Sequence, residues 1–315
     1  MTRHEVDAAV IGGGPAGLAA ALWLARYRRS VVVLDSEDYR AGSVDRSHGY
    51  LGRDPQAPRE LIARGREEVC VYPTVELRSG VRVEHVARRD DGLFAVGADL
   101  LCHRVVLACG VTDAFPDVEG FAEHYGASVF HCPACDGYEA RDRDVVALGW
   151  DARLVGFAAT LLNWARSVAV VTNGRRFEGD EACRATMTAT GTRLVEQTAA
   201  RFVGGRTSLE GLELDSGEVL PASLVFFSVD HSPNAQLARA LGCRLDQEGF
   251  VTVDGEGQTS VPGVYAAGDL TPGLQLVQVA ASSGTVAGVA AAQSLYGRDG
   301  AAGSPDAGPD PTPPA

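Results

Sequence analysis

The 315-residue chain carries 28 Lys and Arg against 41 Asp and Glu, a formal charge of −13, and 45% of its residues are hydrophobic. That apolar share excludes a largely disordered chain, and the length leaves room for two domains with substantial cores. The acidic balance makes nucleic acid and anionic membrane poor partners, and no apolar run reaches the roughly 18–20 residues of a membrane helix.

An apolar strand, Val6 to Ile11, starts almost at the N-terminus and leaves no room for a signal peptide, so a cytoplasmic location is expected. A helix over Pro15 to Arg26 follows, with Leu18, Leu22 and Ala25 on one face, then a buried strand Val31 to Leu34 ending at Asp35. The unit carries Gly-x-Gly-x-x-Gly at Gly12, Gly14 and Gly17. Gly12 permits the tight turn, Gly14 lets backbone approach a pyrophosphate, and Gly17 allows close helix–strand packing. The helix N-terminus, with Pro15 and Ala16, faces the phosphates, and Asp35 stands where a carboxylate meets a ribose hydroxyl.

Residues 36–60 read as a polar loop containing His48, and Pro58 to Val71 as a helix. Val75 to Val86 and Leu93 to Val96 are expected as strands of a small antiparallel sheet. Arg104 to Leu107 is a further strand running into Gly110, and Thr112 to Gly120 a linker. A second β-α-β unit begins at Val145 to Leu148, with a helix over Arg153 to Arg166 and a strand over Val168 to Thr172. A helix Glu181 to Thr190, short strands around Asp215-Ser216-Gly217 and the strand Leu224 to Phe227 come next. Gln275 to Leu295 is a long helix of small residues, and Arg298 to Ala315 a disordered tail. The expected fold class is α/β, with two Rossmann-like, three-layer nucleotide-binding domains.

Between the two units lies His131-Cys132-Pro133-Ala134-Cys135-Asp136-Gly137, which holds the only Cys-x-x-Cys of a chain with seven cysteines. An odd count argues against a disulfide framework, and most of the others should be small buried hydrophobes. Zinc needs about four ligands, and no second Cys-x-x-Cys or His-x-x-x-His is present, so no metal is expected. A structural pair or chance proximity remain possible readings. A pair that shuttles between dithiol and disulfide is favoured, because the two sulfurs sit within bonding reach and the pair follows an intact nucleotide loop. An imidazolium at His131 could lower the pKa of Cys132, although a packing role for His131 is an equal reading.

These blocks, with Ala108-Cys109-Gly110, His231-Ser232-Pro233-Asn234 and Gly263 to Asp269, resemble the low-molecular-weight thioredoxin reductase family of flavoproteins over about residues 5–297. The resemblance implies an FAD domain from residues 1–114 and 246–297, with a nicotinamide-type domain, 115–245, inserted into it. FAD would use Gly12, Gly14, Pro15, Ala16, Gly17 and Asp35; Gly268 and Asp269 would meet its phosphate–ribityl region, and Gln278 would lie near its ring. Cys135 would face the flavin, Cys132 would exchange with substrate, and Asp136 would carry a proton. Family members are usually homodimers. His48 could approach the flavin; His231, Cys109 and Cys243 read as structural.

Against that pattern, the second loop is damaged. Where Gly-x-Gly-x-x-Ala is wanted, the chain has Gly149, Trp150, Asp151, Ala152, Arg153 and Leu154. Asp151 puts bulk and a like charge where a pyrophosphate should approach. The basic cluster expected after the next strand is Thr172-Asn173-Gly174, with Arg175 and Arg176 arriving late. Trp150, Arg153 and Trp164 could line the vacated space. The pattern is similar to the NADPH-independent branch that includes natural-product dithiol oxidases, such as those of gliotoxin and holomycin. Pro133 and the Leu241-Gly242-Cys243 run share its form, and Asp136 departs from it, since a His is common there. The expectation is an FAD-dependent thiol–disulfide oxidoreductase that passes electrons from a small-molecule dithiol through Cys132 and Cys135 to FAD and oxygen. The alternatives are a reductase of a thioredoxin-like protein, fed by NADPH in an altered mode or by ferredoxin, and a non-catalytic flavin sensor.

Overall fold

The computed structural model describes residues 4–297; the tail expected at 298–315 lies outside them. The chain opens with β1 (His4–Ile11), α1 (Pro15–Arg26), β2 (Val31–Asp35), α2 (Pro58–Cys70) and β3 (Val75–Ser79). Then come β4 (Val86–Arg88), β5 (Phe94–Val96), β6 (Leu100–Leu107) and β7 (Val111–Asp113). Among the described residues the first sheet has the order β3-β2-β1-β6-β5-β4, and β17 (Val264–Ala266) pairs with β6. β1, β2, β3, β6 and β17 run parallel. Only β4 and β5 form the expected antiparallel extension. Val75 to Ser79 is instead the parallel edge strand beside β2, with Val75 opposite Val31. Alternation alone does not say which neighbour a strand chooses, and here the returning α2 delivers it to the β2 edge.

Successive residues of β1 face opposite layers. Ala8 and Val10 pack with Leu18, Ala21 and Leu24 of α1 and with Ala287 and Ala291 of the last helix, whereas Ala9 and Ile11 pack with Phe94, Val105 and Leu237. Both faces are apolar because both are covered. The last helix spans Val277–Gln293 and lies close on α1, since a Cβ at Gly284 would stand 2.0 Å from Ala16 O and one at Gly288 2.5 Å from Ala20 O.

The inserted segment holds α3 (Phe121–His124), β8 (Val129–Phe130), α4 (Pro133–Asp136), β9 (Asp144–Leu148), α5 (Arg153–Leu161), β10 (Ser167–Val171) and α6 (Glu181–Ala189). It continues with β11 (Arg193–Val195), β12 (Ala199–Gly205), β13 (Ser208–Leu214), β14 (Val219–Pro221) and β15 (Leu224–Phe227). Its parallel sheet has the order β11-β10-β9-β15-β8, and β12-β13-β14 forms an antiparallel sheet. Two short strands carry the chain out and back: β7, within the segment expected as linker, pairs antiparallel with β16 (His231–Pro233). The return expected at 246 falls late. Helix α7 (Gln236–Ala240) already belongs to the first sheet's core, where Ala235, Leu237, Ala238 and Cys243 are buried with Val86 and Phe94. With the last helix as α8, no helix among the described residues is long and apolar enough to cross a membrane.

Candidate active site

The cysteine pair sits on the turn that follows β8. Pro133 begins α4, a position where its missing N–H loses no helical bond. The Cys135 N–H donates to Cys132 Sγ at 3.1 Å, and the two sulfurs are bonded. Trp164 closes the back of the turn: a Cβ on Gly137 would stand 2.6 Å from its ring. Trp164 therefore packs behind the pair.

Cys132 and Cys135 open on a cavity of about 1240 Å³, larger than the roughly 300–1,000 Å³ of drug-sized ligands. Gly12, Gly14, Pro15, Ala16 and Asp35 line it from the first glycine loop. Gly268, Asp269 and Gln278 line it from the C-terminal segment, and His131 and Asp136 from the inserted one. Gly17 lies outside it and serves packing. A Cβ at Gly17 would stand 1.8 Å from Gly12 O, and one at Gly12, whose φ is +112°, 2.2 Å from Ala108 O. Around Gly14 a Cβ would meet nothing within 4 Å, so that backbone faces open space. The first turn of α1 has neither an acidic residue nor a side-chain cap, which leaves its amides for an anion.

Asp35 is 2% exposed and already held. Its Oδ1 accepts the Glu37 N–H at 2.9 Å, and its Oδ2 accepts from Tyr39 Oη and, at 3.2 Å, from Arg66 Nη1. A carboxylate offers about four lone-pair sites, so one remains on Oδ1 for a ribose hydroxyl. Asp269 is engaged by a residue the sequence did not single out. Arg40 donates to Asp113 twice (Nε to Oδ2 at 2.7 Å, Nη2 to Oδ1 at 2.6 Å), and its Nη1 reaches Asp269 Oδ2 at 2.9 Å and Gln275 Oε1 at 2.7 Å. Burial lifts the Asp269 carboxyl above its ordinary range against the pull of Arg40. Gln278 Oε1 is buried on the cavity wall without a partner.

Of the two readings of His131, the imidazolium beside Cys132 is not supported. Burial first, and then the Arg40 guanidinium, push the His131 imidazole down to about 4. It is neutral at pH 7, and its Nδ1 lies 3.2 Å from Tyr125 Oη. Asp136 behaves oppositely. It is 7% exposed, and burial followed by the nearby Glu139 raises its carboxyl to about 7, with His48 opposing. Asp136 thus titrates near neutrality, where proton exchange with thiols is most efficient.

That shift carries a stability signature. Folded Asp136 holds its proton up to about 7, whereas the unfolded chain loses it near 3.8, so stability falls as pH rises through that window. Above it the penalty is complete, on the order of 4 kcal/mol. Relative to wild type, Asp136→Asn should melt higher at pH 8 and nearly equal at pH 4, as thermal unfolding at the two pH values would show.

At the second loop, charged side chains of the protein bond to one another. Asp151 Oδ1 accepts the Arg153 N–H at 2.8 Å, at the start of α5. Asp151 Oδ2 accepts from Arg153 Nε at 2.9 Å, and Arg153 Nη2 bridges to Asp230 Oδ1 at 2.8 Å. Two carboxylates share one guanidinium, so the array carries net negative charge. Arg175 lies over the Trp150 ring, 3.8 Å from its centroid. Both Trp150 and Arg153 are therefore engaged by other side chains of the protein.

The family model of the pyridine nucleotide-disulphide oxidoreductases matches residues 6–284. The chain belongs to this family. Among its relatives, the disulphide oxidoreductase is 33% identical to "Thioredoxin reductase tcpT" of Claviceps purpurea, over 93% of this chain and 95% of the relative. Its fold matches the crystal structure of HlmI with a TM-score of 0.87 at 34% identity, covering 96% of each chain. It matches the putative thioredoxin reductase TrxB of Bacillus anthracis with a TM-score of 0.85 at 29% identity, covering 93% and 99%. It is a thioredoxin reductase-like enzyme with two Rossmann-like domains, and its cofactor is FAD. The residues present fit that cofactor: an uncapped helix start, an open face at Gly14 and an unpartnered acceptor at Gln278 all border one cavity. Arg40 and Arg66 carried no signal in the sequence, being single basic residues in or near a polar loop. His48 lies on the cavity wall.

Proposed function

We propose that this oxidoreductase is an NADPH-independent dithiol oxidase. The observation that carries the reading is the Asp151–Arg153–Asp230 array: the amide that would receive a nucleotide pyrophosphate at α5 is capped by an internal carboxylate. The α1 turn, by contrast, is left open. The Gly12–Gly17 loop, Asp35, Gly268, Asp269 and Gln278 hold FAD, which supplies a two-electron acceptor for the reduced pair and an outlet to dioxygen. A substrate thiolate attacks Cys132 Sγ; the Cys132–Cys135 bond breaks and Cys135 leaves as thiolate. The second substrate thiol then closes the substrate disulfide and releases Cys132, so the substrate loses two electrons and the pair gains two. Asp136 exchanges the protons.

The substrate is a small-molecule dithiol. A thioredoxin-like protein is the second reading, favoured by the names of relatives such as tcpT. The enzyme works in the cytoplasm as a homodimer, and residues 115 to about 234 form the inserted domain. With a small dithiol and no nicotinamide, the holoenzyme should consume oxygen and release hydrogen peroxide in equal amounts. Oxygen uptake that requires NADPH would reject the reading.

A further inference from the structure

His48 stands on a loop of the first domain closed by paired bonds between Ser47 and Gln56, at 2.9 and 3.1 Å. Its Nδ1 lies 2.9 Å from Asp54 Oδ1, while the other oxygen of Asp54 accepts the Gly49 N–H at 3.1 Å. This clamp fixes the ring. Its Nε2 points across the domain boundary and lies 3.6 Å from Glu139 Oε1. Glu139 Oε2 is buried with no protein partner. Glu139 follows Asp136 by three residues, on the turn (Gly137–Ala140) that continues α4, and the two carboxyls feel each other.

We infer that His48 is a positioning residue for proton exchange at the cysteine pair, acting through Glu139 and Asp136 and held in place by Asp54. The inference rests on the thiol–disulfide chemistry proposed above. When a dithiol R(SH)2 reduces the pair, the products are the cyclic disulfide of R and two reduced cysteines. Two electrons move to the pair, and two protons leave the attacking thiols. Cys132 and Cys135 do not keep both protons if they are to hand their electrons onward. Asp136 takes a proton beside Cys135, but it is buried and has like-charged Glu139 as its neighbour. Two close carboxyls hold one proton between them far more readily than none. His48 faces that pair from the solvent side, with its Nε2 3.6 Å from Glu139 Oε1, and an imidazole placed there can pass protons in either direction. Asp136, Glu139, His48 and Asp54 thus form a row of two acids, an imidazole and a third acid leading from the disulfide to the surface. The orphaned Glu139 oxygen is the acceptor that this row requires and that packing alone leaves unexplained.

The test is rapid mixing of oxidised holoenzyme with dithiothreitol, following flavin bleaching without oxygen from pH 5.5 to 9, as a rough bracket of the histidine range. His48→Ala should slow bleaching about tenfold at pH 7, a modest share of the effect of a direct acid–base group. The limb of its pH profile near neutrality should move to higher pH, because His48 no longer opposes the rise of the Asp136 carboxyl, and added imidazole should restore much of the rate. Asp54→Asn should show a smaller loss of the same kind. FAD content and melting temperature identify any variant that misfolds, and His48→Gln supplies a second, closer replacement. A His48→Ala profile that superimposes on wild type, or a loss that imidazole leaves unchanged, overturns the inference. If wild type itself is not bleached by the dithiol, the dithiol-oxidase reading fails instead. The row is then judged in reverse, with the flavin photoreduced and appearance of cysteine thiols trapped by alkylation; the same profile and rescue are expected.

Discussion

The Cys132→Ser and Cys135→Ser variants should each retain FAD and lose dithiol-driven oxygen uptake by about a thousandfold or more, the scale seen when one member of a unit that acts together is removed. The expectation follows from geometry. Both cysteines face the cavity that Gly12, Gly14 and Gln278 border, and neither contributes to the glycine loop itself. Serine preserves the size of each side chain but forms no disulfide and is a far weaker nucleophile at neutral pH. The five free cysteines cannot substitute. Cys102 and Cys243 are buried, Cys70 and Cys183 do not line the cavity, and burial drives the thiol of Cys109, which does reach it, up to about 12. Flavin absorbance measured beside oxygen uptake separates loss of chemistry from loss of cofactor. A serine variant that turns over at even a tenth of the wild-type rate would place the chemistry elsewhere.

The largest expected effect on stability comes from Arg40→Ala. This guanidinium binds Asp113 in bidentate fashion and reaches Asp269 and Gln275, so it joins the β7 crossover, the first domain and the cavity wall. The side chains of Arg40 and Asp113 are 18% and 7% exposed. Removing the cation leaves two half-buried or buried carboxylates facing each other without compensation, a loss of about 3–5 kcal/mol when one partner of a buried pair is removed. Thermal melting of the variant should fall well below wild type at pH 8, and the gap should narrow on acidification as the carboxyls take up protons. Arg40→Lys should recover only part of the loss, because an ammonium does not reproduce the bidentate fork. An alanine variant that melts with wild type would show that the network carries no net stability.

The two β-α-β units were legible because each declares itself locally: a strand of apolar residues, a glycine turn and an apolar helix face within thirty residues. The damage to the second loop was equally legible, since Asp151 stands where a bare glycine is wanted. Its partners were not, because Asp230 is 77 positions from Arg153 and meets it only through the fold. The same limit hid Arg40, whose partners Asp113 and Asp269 lie 73 and 229 positions away. His131 shows the limit for charge. Adjacency to Cys132 suggested a cation, but burial and Arg40 leave the ring neutral, and neither influence is written in the neighbouring residues. Val75 to Ser79 was recognisable as strand, yet its partner depended on where α2 returned the chain.

The central claim is the source of the electrons, and anaerobic titration of the holoenzyme flavin tests it most directly. Stepwise addition of NADPH should leave the oxidised spectrum essentially unchanged, because Asp151 occupies the amide at α5 and Arg153 is committed to Asp151 and Asp230. Subsequent addition of a small dithiol should bleach the flavin within the mixing time of the titration. Rapid bleaching by NADPH, with no response to the dithiol, would contradict the account and return the protein to nucleotide-driven disulfide reduction.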